Sequence, residues 1–259
     1  MSWRGVTLMI DKIDINNKAI SIRKKLGEDP SSPIDIFLLA QTIPDMTLVF
    51  YPLGENISGA CLKGNSSALI VINSDMSLGR QRFSLAHELY HYYFDTDSSS
   101  IVCSKEIGAG TINEKKADQF ASYFLMPPAA LYELIKSFKD GQDRKLTIKE
   151  VVKIEQYFGV SRQAMLFRLE DIRELEPNES TEYRQGIIKT AARLGFDVSL
   201  YKPSPENKKK LVLGHYVSQA ENLLEKEIIS QGKYEELMLD AFRYDIVYGE
   251  GGEGGELID

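Results

Sequence analysis

Basic charge, cysteine and long apolar runs are all in short supply in this chain. Its 31 lysines and arginines are outnumbered by 38 acids, a net charge of -7, which repels phosphate backbones and anionic lipid at long range. Nucleic acid is therefore not expected as a direct partner. The two cysteines are too few for a disulfide framework and, at 61 and 103, too far apart for a cysteine-rich zinc knuckle. No stretch approaches the roughly 20 apolar residues that span a bilayer. Residues 1–10 lack the charged start and apolar core of a leader. The expectation is a cytoplasmic protein without a membrane partner. No internal repeat of solenoid length is found, which sets that class aside.

What remains is an ordinary globular composition, 43% hydrophobic and 27% charged, so a packed core is expected. With 259 residues against the roughly 100 to 200 of a single domain, two units are expected. Helical spacing occurs over 16–26 and 33–43. Three short β-rich runs follow at 47–51, 57–62 and 68–73, separated by Gly, Asn and Ser, and read as a small, largely antiparallel sheet. From 80 to 94 the period becomes 3.6, with Phe83, Ala86, Leu89, Tyr90 and Tyr93 on one stripe. After a polar loop at 95–100 another helix begins near Asn113, which can cap it, and stops at Pro127. Pro128 suits a helix start. Thr147 and Glu150 have capping-box spacing ahead of a helix ended by Gly159, and Ser161 caps the next, 162–174.

The polar stretch 176–181 reads as a boundary. Helical patterns then cover 183–194, 216–229 and 234–246, with a Pro- and Lys-containing loop at 202–210. The fold class expected is thus α+β. A mainly helical domain with a three-stranded sheet spans 1–178, a helical accessory unit spans 179–248, and a Gly- and Glu-rich disordered tail spans 249–259.

Histidine is scarce too, three in all, yet two of them stand in His87-Glu88-Leu89-Tyr90-His91. Four residues turn a helix through about 400 degrees, which brings both imidazoles to one face about 6 Å apart, as two ligands of one tetrahedral zinc require. Glu88 follows the first ligand by about 100 degrees of rotation, near enough to reach water at the metal without ligating it. Catalytic zinc ordinarily has three protein ligands. The candidate third is Glu114, on the next helix, and Asp118 shares its face at i, i+4, where it can accept the spare ring N–H of His87. Cys103 falls between these two halves of the pattern. A metal or redox role is open to it, but buried free cysteine ordinarily acts as a small hydrophobe, and that is the expectation here. His215 is distant in sequence and expected to be structural.

The combination of His-Glu-x-x-His with Glu114-x-x-Ala117-Asp118-x-Phe120-Ala121 and Leu125-Met126-Pro127 resembles the ImmA/IrrE family of metallo-endopeptidases, over roughly 33–175, with a ligand set like that of gluzincin zincins. The resemblance implies a zincin-like, zinc-dependent cytoplasmic protease that cuts helix-turn-helix repressors and so derepresses transcription. His87, His91 and Glu114 would be its ligands and Glu88 its catalytic group. Lys116 stands where the family often has an acid, and Phe124 where a Leu is common. The expectation is a stand-alone member, with no DNA-binding domain ahead of the peptidase region.

Two other functions compete. One is a non-catalytic regulator or antitoxin-like protein that uses the same scaffold to bind a repressor or toxin. The other is DNA binding through the helix pair at 147–174, where Arg162, Gln163 and Arg168 could serve a recognition helix, although the acidic chain lacks a supporting basic field. The Gly-x-Gly-x-x-Gly spacing at Gly249, Gly251 and Gly254 has neither the strand nor the helix a dinucleotide loop needs.

Overall fold

The isoleucines set among bases near the N-terminus become helix α1 (Lys12–Lys25), opened by Asp11, whose carboxylate accepts from the N–H groups of Ile13 and Asp14. The computed structural model describes residues 10–95 and 100–249. The tail expected to be disordered lies outside the described residues from 250 onward. A short helix α2 (Ile36–Gln41) leads to β1 (Met46–Tyr51), β2 (Ile57–Lys63) and β3 (Ala68–Asn73), the three runs that alternation predicted.

The sheet is larger than the three strands expected. Among the described residues it has five, in the order β4-β2-β3-β1-β5, because β4 (Ser100–Ser104) and β5 (Leu211–Gly214) join its two edges. Both are too short for a period-2 pattern to stand out, and β5 pairs with β1 across more than half the chain. β1 and β3 are parallel, while β1–β5, β2–β3 and β2–β4 are antiparallel, so the sheet is largely antiparallel as expected.

Helix α3 (Leu78–Phe94) lies on β2 and β3, and α4 (Ile112–Leu125) packs against α3 and α1. Phe83, Ala86, Leu89 and Tyr90 are buried between these layers with Phe120 and Phe124. The start of α4 departs from expectation: Thr111, not Asn113, caps it, its hydroxyl accepting from the Glu114 N–H. The first turn of α3 has no side-chain cap. The Lys202 carbonyl instead accepts from the Leu78 N–H at 2.9 Å, which satisfies one of the donors every helix start leaves open.

Beyond α4 come α5 (Pro128–Lys139), α6 (Ile148–Phe158) and α7 (Arg162–Asp171). The Thr147–Glu150 capping box forms as predicted, and Gly159 ends α6 at φ 65. Arg144 pairs with the Glu150 carboxylate at 2.6 Å and holds it down to about 2. A depressed carboxylate stabilises the fold above its ordinary 4.5, and that contribution is lost as pH falls toward about 2. Glu150→Gln should therefore be less stable at neutral pH by about 1 kcal/mol, the usual worth of a helix cap. In thermal melts the gap between variant and parent should close between those two pH values, and a gap independent of pH would contradict the assignment.

The α6–α7 pair is not available to DNA in the way its sequence suggests. Arg162 and Arg168 are each 1% exposed. Arg162 is spent on Glu155 and on the Tyr183 carbonyl, and Arg168 lies 4.3 Å over the Tyr123 ring. Only Gln163 of the three faces solvent. The turn between the helices packs so closely on α3 that a Cβ at Gly79 would come within 2.5 Å of the Ser161 nitrogen.

The single helix expected over 183–194 is two, α8 (Pro177–Tyr183) and α9 (Ile187–Arg193), since Pro177 starts a first turn early and Gly186, at φ 59, breaks the path. Past β5, α10 (His215–Glu225), α11 (Gln231–Asp240) and α12 (Tyr244–Tyr248) gather a small core around Ala220, Tyr234 and Met238. None of the helices in the described residues is long and apolar enough to cross a membrane.

Candidate metal centre

One turn of α3 sets His87 and His91 side by side, both buried, with their Nε2 atoms 3.1 Å apart. From α4, Glu114 closes the triangle. Its Oε2 lies 3.2 Å from His87 Nε2 and its Oε1 3.4 Å from His91 Nε2. The three residues that spacing marked as ligands thus meet.

Each imidazole is oriented from behind. Asp118 Oδ1 lies 2.8 Å from His87 Nδ1, the pairing the sequence anticipated. Its other oxygen accepts from the Gly108 N–H at 2.6 Å. The equivalent partner of His91 was missed: Asp95 Oδ2 lies 2.7 Å from His91 Nδ1, and the Asn113 amide donates to both Asp95 oxygens at 3.0 and 2.9 Å. The signal was present, since Asp95 follows His91 by four residues, but it falls where the apolar stripe ends and reads as loop.

An ionised carboxylate only accepts, so both Nδ1 atoms carry the ring proton, and the Nε2 lone pairs face each other and Glu114. Three acceptors at 3.1–3.4 Å repel one another unless a cation lies between them. A divalent ion with bonds of about 2.0–2.2 Å fits that spacing. Without one, a proton is the substitute. Burial pulls the His87 imidazole down, but the hydrogen bonds it donates to Asp118 and Glu114 when protonated prevail and raise it to about 9. Burial and then the charge of His87 lower His91, and the His87 hydrogen bond lowers Glu114.

Glu88 is fully buried, and neither carboxylate oxygen has a hydrogen-bond partner. Burial pushes it up to about 7. A buried, unpartnered carboxyl is costly, and its position beside two imidazoles marks it as a group held for chemistry. Room for it comes from Gly59 on β2, which sequence reasoning also missed: a Cβ there would stand 2.8 Å from Glu88 Oε1 and 2.9 Å from the Val71 carbonyl oxygen. Gly59→Ala should displace the Glu88 carboxylate and reduce its chemistry tenfold or more, at a packing cost of about 1–3 kcal/mol, while metal content is unchanged. Loss of bound metal on elemental analysis would place the effect on the ligands instead.

Cys103 stands beside the three candidate ligands. It is buried, but it belongs to none of the apolar clusters, whereas Cys61 sits in the main core. Its sulfur, His87, His91 and Glu114 offer four donor atoms all within 4.8 Å of one another. Burial, and then the charges of Glu88 and Glu114, push its thiol far up, so the surroundings that oppose a bare thiolate are those a cation would reverse. His215, at the start of α10, has Nδ1 3.6 Å from Asp45 Oδ1 and lies outside this group.

Residues 44–170 match the family model described as the IrrE N-terminal-like domain, Peptidase_M78. The match starts before β1 and ends within α7, so it takes in all of the side chains described here except His215. No curated protein matches the chain.

Proposed function

We propose that this chain is a zinc-dependent endopeptidase of the ImmA/IrrE family, with His87, His91 and Glu114 as ligands and Glu88 as general base, a reading that the family match over residues 44–170 supports. The single observation that carries the reading is the meeting of two Nε2 lone pairs and one carboxylate beside a buried carboxyl that has no other use. Imidazole nitrogen with carboxylate oxygen is a donor set suited to zinc.

A divalent cation held there supplies Lewis acidity, polarising a peptide carbonyl and making water acidic enough to attack near neutral pH. The chain's own groups do the rest. Glu88 takes the proton of the attacking water and returns it to the leaving amine. Asp118 and Asp95 hold the imidazoles in the tautomer that points Nε2 inward and raise their basicity. No covalent intermediate with the protein is needed.

For the substrate, the resemblance points to a helix-turn-helix repressor in the cytoplasm, cut so that transcription is released. The inward-turned Arg162 and Arg168 favour a protein substrate over direct contact with DNA. The test is to incubate the zinc-loaded protein with the repressor encoded beside its gene and identify products by mass spectrometry. Cleavage at one or a few positions that stops with a chelator and returns with zinc is expected. An intact repressor, joined to full biological activity of a Glu88→Gln strain, would make the protein a non-catalytic regulator.

A further inference from the structure

Three ligands and an open position describe a working metallopeptidase, but four donor atoms meet here. Cys103 is carried on β4, where its register partner across the ladder is Gly59, the residue whose missing side chain makes room for Glu88. The sulfur is thereby delivered to the face of the sheet that α3 covers with its metal motif. A cysteine acting as a small hydrophobe has apolar neighbours, as Cys61 does. Cys103 lies in none of the apolar clusters, and its sulfur comes within 4.8 Å of donor atoms of His87, His91 and Glu114.

We infer that Cys103 is the fourth donor of the centre, and that its sulfur closes a His87–His91–Glu114–Cys103 set in the resting protein. The inference rests on the metallopeptidase reading of the same residues. Thiolate is among the strongest zinc donors, and a four-ligand protein set is the hallmark of a closed site, whereas catalysis needs one position free. The protein free of substrate is accordingly closed, and the sulfur must yield its place to water once substrate is present. On metal entry the Cys103 S–H bond breaks and a sulfur–metal bond forms. The thiol proton is released to water. Nothing is oxidised or reduced. While the latch is closed, the four donors leave no position for the water that hydrolysis needs.

The test uses the full-length protein and cobalt(II) alone, because cobalt reports a sulfur donor as thiolate-to-metal charge-transfer absorption in the near ultraviolet and four-coordination as strong visible bands. The metal-free protein is titrated with cobalt(II) while both regions are recorded. One equivalent bound with the charge-transfer band present is expected. The band should be lost in Cys103→Ser and kept in Cys61→Ser, with stoichiometric binding in both. One equivalent bound with visible bands but no charge-transfer band in the parent would overturn the latch and leave the three-ligand metallopeptidase standing. No stoichiometric binding by the parent would overturn both. The decisive spectrum is that of the parent protein, so the outcome does not depend on whether a variant folds.

Discussion

Glu88→Gln is expected to lower cleavage of the proposed repressor substrate by a factor of about 10²–10⁴, the usual contribution of a positioned general base, and to leave one equivalent of metal in place. The amide matches the carboxylate in shape, so it fits against Gly59, but it cannot take a proton from water. The pH profile supplies a second readout. Catalysis needs the ionised form, so the rate should fall on the acid side, tenfold per pH unit once Glu88 is protonated. Burial, partly offset by the charge of His87, raises the group to about 7, and a divalent cation nearby would move the limb lower, toward the ordinary 4.5. Single-turnover cleavage measured across this range should show the limb in the parent and lose it in the variant. Undiminished cleavage by Glu88→Gln would remove the residue from the mechanism.

The largest effect on stability should come from a site remote from the metal. Glu155 and Arg162 form an ion pair at 0% and 1% side-chain exposure. Tyr201 donates its hydroxyl to Glu155 Oε2 at 2.8 Å, and Arg162 Nη1 donates to the Tyr183 carbonyl at 2.6 Å. The cluster ties α6 and α7 to the chain beyond residue 180, where the turn Ser199–Tyr201 leads to the Lys202 carbonyl that accepts from the start of α3. Removing the carboxylate strands a guanidinium with no exit to water. Glu155→Ala should therefore cost about 3–5 kcal/mol in urea denaturation, whereas replacing both partners by apolar residues of similar volume should recover most of it. If Glu155→Ala were as stable as the parent, the pair would not be holding these helices together.

The metal motif was legible because its information is local. His87, Glu88 and His91 share one helix, and Glu114 and Asp118 share another, so helical periodicity alone sets which side chains stand on one face. The same holds for the capping box at Thr147 and Glu150 and for the stops at Gly159 and Pro127. What the sequence withheld depends on pairing between distant segments. β4 and β5 are strands only because β2 and β1 offer them edges, and five or four residues carry too little pattern to announce that. Cys103 followed β4 into obscurity: once residues 95–100 read as loop, nothing fixed which way its sulfur pointed. Gly59 reads as one more small residue in a strand until α3 is laid across it. Arg162 and Arg168 look like a recognition helix because sequence gives charge without burial.

The central claim is that α3 and α4 bring three donors to one cation, and the most direct measurement is anomalous scattering at the zinc edge from crystals of the protein equilibrated with zinc. The account predicts one strong peak about 2.0–2.2 Å from Nε2 of His87, Nε2 of His91 and a carboxylate oxygen of Glu114. A map without a peak between those three side chains, from protein saturated with zinc, would contradict it.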